Sequence, residues 1–226
     1  MEHDACGVGL VASTEGVKSR KVVEYGIQAL KAVWHRGAID ADGKTGDGAG
    51  IHIEIPKDFF IEKIEITGHR HDDSDLCVGM IFLPRNDYQG QEQCRIIVES
   101  ELTKKNFNIY GWRQVPVNPS VLGEKAENTR PEITQILFKH NDKKVIGKNL
   151  ERVLYETRRK IEKEALNNQL NGFIFVHLVL NQLFTKECFS LRLCQIFTLI
   201  LKMRDLFQDL QFSIKDFLLT QHPVGI

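Results

Sequence analysis

Apolar positions along the chain fall into alternating short runs and longer helical periods. Gly7–Ser13 is a small, apolar stretch suited to a buried strand. Across Lys18–Trp34, Val23, Ile27, Leu30 and Trp34 recur at three- and four-residue steps, which marks one face of an amphipathic helix. The pattern predicts that this helix stops at Gly37, where a residue that tolerates positive φ is available. Ile51, Ile53 and Ile55 alternate as a half-buried strand closed by Pro56. Leu76–Leu83 and Ile133–Phe138 are further strand candidates, and Glu92–Leu102 is a helix candidate. Leu150–Leu166 reads as a second long helix with Leu150, Val153, Leu154 and Ile161 turned inward. Strands mixed with long helices give an α+β class.

The 226 residues suit one large domain, or a domain plus a fragment, with a real core. Thirty basic and thirty acidic side chains cancel, so bulk charge points to neither nucleic acid nor a membrane surface as partner. The start has no basic segment followed by an apolar one, and the cytoplasm is the expected compartment. Five cysteines without Cys-x-x-Cys spacing suggest neither a disulfide framework nor a zinc site. His69-Arg70-His71-Asp72-Asp73-Ser74-Asp75 has metal-binding residue types but no ordered spacing, and is expected to be a polar loop. Lys143-Lys144 and Arg158-Arg159-Lys160 read as solvated faces. No metal site is expected, and no substrate-binding residue is assigned.

Cys6 carries the sharpest chemistry. If Met1–Ala5 are removed, the thiol and the α-amine belong to the same residue. A free α-amine titrates near ~7.7–8.0, so it can act as general base for the adjacent sulfur. His3-Asp4-Ala5-Cys6-Gly7-Val8-Gly9 is followed by Trp34-His35-Arg36-Gly37-Ala38 and by Gly46-Asp47-Gly48-Ala49-Gly50. Later words are Val78–Pro84, Gly111-Trp112-Arg113-Gln114-Val115-Pro116, Leu122-Gly123 and Leu154-Tyr155-Glu156-Thr157-Arg158-Arg159. Over residues 2–173 this series closely resembles the start of the glutamate synthase large subunit, a class II (N-terminal nucleophile) glutamine amidotransferase domain. The resemblance implies a four-layer αββα sandwich, here incomplete. It further implies that Cys6 attacks the side-chain amide of L-glutamine and passes through a glutamyl thioester to glutamate and ammonia. Residues 1–5 are then a propeptide. FMN and the iron–sulfur cluster belong to later domains of that family, which are absent here, so neither is expected in this chain. Whether His35-Arg36-Gly37 and the glycine loop at 46–50 wrap the nucleophile or are only a helix end and a turn stays open. The loop is not a P-loop, because no Gly-Lys-Ser/Thr ending follows it.

The character of the chain changes at Phe173. Sixteen of 17 glycines precede it, whereas 8 of 13 phenylalanines lie in residues 173–226. Reading each codon from the third base of one residue and the first two of the next, Phe173–Val179 can encode Tyr-Ile-Cys-Ser-Leu-Ser, the family's continuation. Ser213–Gly225 can likewise encode a His-x-Arg-Phe-Ser-Thr stretch, whose Arg grips the glutamine α-carboxylate in the family. Residues 174–226 are therefore expected to be a frameshifted tail that packs poorly. With that Arg lost, and the oxyanion-hole Asn-Gly expected beyond Ile226, the chain is expected to be a truncated, inactive glutaminase remnant. The alternatives are a non-catalytic binding fragment and a membrane-associated protein anchored by its apolar tail. Phe173–Phe184 is, however, shorter than the ~20 apolar residues of a spanning helix. Helical spacing of Leu193, Phe197, Ile200 and Leu201 leaves a packed helix as a further option.

Overall fold

A computed structural model describes residues 9–16, 19–33, 40–46 and 49–170, together with the backbone of 174–179, 182–187 and 218–220. The chain divides into two compact units. One comprises Met1–Phe59, Pro116–Arg130 and Gln182–Ile226; the other comprises Phe60–Val115 and Pro131–Asn181.

The first unit holds a four-stranded sheet made from β1 (Gly9–Leu10), β2 (Ala49–Glu54), β7 (Gln182–Glu187) and β8 (Leu218–Thr220), in the order β1-β8-β2-β7. All three pairings are antiparallel. Helix α1 (Arg20–Ala32) lies against β1 and β2. It opens at Ser19, whose side chain accepts from the Lys21 N–H at 3.2 Å, a cap that satisfies an otherwise orphaned donor. Val22, Gly26 and Leu30 line its buried face with Val23. The helix ends earlier than the sequence pattern predicts. Val33 leaves helical geometry at φ −93°, ψ 17°, and its N–H closes onto the Ala29 carbonyl at 3.3 Å. Trp34 and Gly37, the predicted last apolar position and stop, lie outside the described residues. Through β2 and on to Ile55 the alternation holds: Ile51, Ile53 and Ile55 are buried, and His52 and Glu54 are half-exposed. This unit also holds a 3₁₀ turn at Pro119–Val121 and α4 (Glu124–Thr129).

The second unit is a sheet of β3 (Leu76–Leu83), β4 (Phe107–Gln114), β5 (Glu132–His140) and β6 (Ile174–Val179), in the order β4-β5-β3-β6 and antiparallel throughout. Helices α3 (Tyr88–Lys104) and α5 (Gly147–Asn167) pack against it and against each other. Cys77, Ile81 and Leu83 from β3 meet Phe107, Ile136 and Phe138 from β4 and β5. Cys94, Val98 and Leu102 of α3, with Leu150, Leu154 and Ile161 of α5, close the same core. Phe107 and Phe138 meet edge to face with centroids 5.2 Å apart, the geometry the ring quadrupoles favour. Thr157 is fully buried on α5, and its hydroxyl donates to the Val153 carbonyl at 2.7 Å, so no polar atom is stranded there. The inward face of α5 follows the predicted spacing, with Val153 at its half-buried margin.

Several elements were not legible as patterns, or only in part. Helix α2 (Lys57–Ile66) follows Pro56 and buries Phe59, Phe60 and Ile64. The start of α3 reaches back to Tyr88 because Asp87 caps it, accepting from the Gly90 N–H at 2.8 Å. Strand β4 was missed because a register shift between Ile109 and Gly111 breaks its alternation. Gly111 sits at φ +148°, a conformation that side chains rarely adopt. Of the apolar stretch Phe173–Phe184, considered above as a membrane anchor, Ile174–Val179 and residues 182–184 contribute paired strand backbone in β6 and the start of β7. Leu193, Phe197, Ile200 and Leu201 lie outside the described residues. Among the described residues no helix is long and apolar enough to cross a membrane.

Candidate functional site

Cys6, the one residue given a catalytic role from sequence, lies outside the described residues, as do Met1–Ala5, His35-Arg36-Gly37 and Asp47-Gly48. The described strands that continue from these segments nevertheless fix how the chain enters the first unit's sheet. Strand β1 begins three residues after Cys6, and β2 begins directly after Gly48. Both pair with β8, and Gly9 and Ile51 share Leu219 as their partner. Because each is antiparallel to β8, β1 and β2 run parallel to one another, roughly 10 Å apart across the intervening strand. The chain therefore enters both strands from the same end of the sheet.

The loop at 40–46, which leads into β2, is built around two carboxylates. Asp42 Oδ1 accepts from the N–H groups of Lys44 (2.9 Å) and Thr45 (2.7 Å), and the Thr45 hydroxyl donates to Asp42 Oδ2 at 2.6 Å. The Thr45 hydroxyl and then these backbone donors hold the Asp42 carboxyl below its ordinary value. The Asp40 N–H donates to the Thr45 carbonyl at 2.9 Å, closing the turn, and Gly43 occupies φ +67° within it. Lys125 on α4 reaches Asp40 Oδ2 at 2.6 Å, which lowers the Asp40 pKa and raises that of Lys125. Gly123, at the start of α4, has no room for a side chain unless Asp42 and Thr45 shift. A Cβ there would lie 2.0 Å from Asp42 Oδ2 and 2.2 Å from Thr45 Oγ1. The Leu122-Gly123 word thus has a physical cause: the loop before β2 lies against the backbone of residue 123. Some 80 residues of sequence separate the partners, and only the word itself signalled the position.

His69–Asp75 is a pinned polar loop. His71 Nδ1 is 2.9 Å from the Tyr110 hydroxyl, and its Nε2 is 3.1 Å from the Ser74 carbonyl. Asp72 bonds the Ser74 hydroxyl and pairs with Lys139 (2.9 Å) and Lys143 (3.2 Å). Among the described residues no group of three or more His, Cys, Asp or Glu side chains could hold a metal ion. Lys143 is largely exposed, as the sequence reading expects, and it shares Asp72 with Lys139. Arg158 and Arg159 both pair with Glu162 on their own helix.

A sequence model of the family described as glutamine amidotransferases class-II matches residues 6–198. The chain belongs to this family. It is 52% identical over 188 residues to the glutamate synthase [NADPH] large chain of Azospirillum brasilense, covering 83% of this chain and 12% of that protein. It is 38% identical over 182 residues to the ferredoxin-dependent glutamate synthase 1, chloroplastic/mitochondrial, of Arabidopsis thaliana (80% of this chain, 11% of that one). Identity is also 38% over 164 residues to the ferredoxin-dependent glutamate synthase 2 of Synechocystis, covering 72% and 10%. The chain spans about a tenth of the length of these curated relatives. The family match runs past Phe173, where the sequence analysis ended the resemblance.

Proposed function

We propose that this chain carries the nucleophile of a glutamine-hydrolysing amidotransferase domain, with Cys6 as its first mature residue. The observation that supports this most is the position of the family match, which begins at residue 6 and leaves Met1–Ala5 outside it. Loss of those five residues would free the α-amine of Cys6. That amine takes the thiol proton as the sulfur attacks the amide carbon of L-glutamine, then returns it to the departing ammonia. Water attacks the resulting thioester, the C–S bond breaks, and glutamate leaves with the thiol restored. These steps call on neither FMN nor an iron–sulfur cluster. The parallel run of β1 and β2 on either side of β8 is compatible with this reading. The reading extends to the incomplete four-layer αββα sandwich that the family resemblance implies.

For residues 174–226 we favour the out-of-frame reading, which rests on the glycine and phenylalanine distribution and on the family words recovered in the shifted frame. Paired backbone in β6 and β7 is compatible with it. T-rich codons yield Phe, Leu, Ile and Val in either frame, so β-forming composition survives the shift. In this reading the Arg that clamps the substrate carboxylate is unread, and the chain lacks glutaminase turnover. A competing in-frame reading is favoured by the extension of the family match to residue 198.

The decisive experiment is resequencing across the codons for 172–174, paired with mass spectrometry of the mature N-terminus and a glutaminase assay. We expect a missing base, and hydrolysis that returns when the frame is restored in a full-length synthase and vanishes in Cys6→Ala. Cys6-dependent glutamate release from the unaltered chain would overturn the inactive reading. Retention of Met1–Ala5 in an active, frame-restored protein would overturn the role of the α-amine.

A further inference from the structure

The second unit contains a cleft of about 680 Å³, within the range of small-molecule sites. Arg85, from the loop between β3 and α3, Arg95 of α3 and Arg113 of β4 line it, with Tyr88 and Trp112. Glu132 is the one carboxylate among the lining residues and accepts from the Gln114 side chain, while Arg85, Arg95 and Arg113 each also have protein partners. Glu92, adjacent on α3, lies 3.4 Å from Arg95 Nη1.

The rear of the cleft is rigidly built. Gln91 is buried, and its Nε2 donates to the carbonyls of Pro84 (2.8 Å) and Arg85 (3.2 Å), tying the loop to the helix. Its Oε1 accepts from Arg95 Nη2 at 3.3 Å, and Trp112 Nε1 donates to Glu99 at 2.6 Å. Arg113 is held by Nη1 donating to Gln135 Oε1 at 2.7 Å, and desolvation lowers its pKa without neutralising it. The start of α3 adds the positive end of its dipole, partly offset by the Asp87 cap. A guanidinium fork matches carboxylate and phosphate oxygens in pairs, and three forks around one concavity favour a ligand with two or more such groups.

We propose that this cleft binds a small polyanion bearing phosphate or carboxylate groups, with Arg85, Arg95 and Arg113 as its ligands. The proposal concerns residues 85–134 and does not depend on the role given to Cys6. Calorimetric titration of the full chain with inorganic pyrophosphate, and separately with succinate, tests it at constant ionic strength. Saturable binding of either anion is expected, weakened at least ~10-fold in Arg85→Gln and in Arg95→Gln and unchanged in Lys148→Gln, an exposed position on α5. Binding of pyrophosphate alone identifies a phosphate ligand, and binding of succinate alone a carboxylate. Absence of saturable heat with both, or equal affinity in folded Arg85→Gln and Arg95→Gln, overturns the proposal.

Discussion

Leu154 tests whether α5 is oriented as described. Its side chain is 1% exposed in the core formed with β3, β5 and α3, whereas its neighbour Tyr155 is 63% exposed and Val153 lies at the margin. Leu154→Ala removes three carbon atoms at ~0.8 kcal/mol each, about 2.4 kcal/mol of transfer free energy. The cavity left behind adds to this, because strands on one side and α3 on the other limit collapse. The total expected is ~2.7–5 kcal/mol. Val153→Ala should cost less, and Tyr155→Ala should fall within about 0.5 kcal/mol of the parent. Equilibrium urea unfolding, followed by far-UV circular dichroism, reads all three through the midpoint at constant slope. A Leu154→Ala loss under 1 kcal/mol, or a Tyr155→Ala loss that equals it, would refute the assigned face. A rotation of one residue, 100° around the helix, would exchange their roles.

Gly123→Ala should destabilise by the ~1–3 kcal/mol of an overpacked site, since 2.0 Å to Asp42 Oδ2 is far inside contact distance. The loss should shrink in an Asp42→Ala background, and strict additivity in thermal melts would sink the packing argument. Hydrogen bonds from Ser74 and from Lys139 hold the Asp72 carboxyl well below the usual carboxylate range. Its contribution is complete above the unfolded value near ~3.9 and is lost as pH falls through the lower folded value. The melting-temperature gap between the parent and Asp72→Asn should therefore hold near neutrality and close in acid; a gap constant to pH ~2 contradicts this. Burial, then the Asp87 charge, push the Cys94 thiol up to about 11. Iodoacetamide at pH ~8 should leave Cys94 unmodified until urea is added, and prompt native labelling would count against its placement.

Much of the second unit was legible because its core elements are regular. The run Leu76–Leu83 was bounded to the residue, and the spacing of Leu150, Leu154 and Ile161 named the buried face of α5. Strand β4 was not, because a bulge at Gly111 moves Trp112 and Arg113 out of alternation. Helix α2 was not, because Phe59 and Phe60 lie side by side and give no clear period. Of the candidate site, sequence supplied Cys6 and the words that place the chain in its family, but no partner for any of them among the described residues.

Order along the chain determined the family and the periods of α1 and α5, and it made Cys6 the candidate nucleophile, since these are carried by neighbouring residues. Tertiary structure decided that β1 and β2 run parallel on either side of β8, that Asp40 meets Lys125, and that Gly123 lies against the Asp42 and Thr45 side chains. It also gathered Arg85, Arg95 and Arg113 around one cleft. These depend on strand order and on contacts between distant segments, which are set by the packing of whole elements and leave no local period in the sequence.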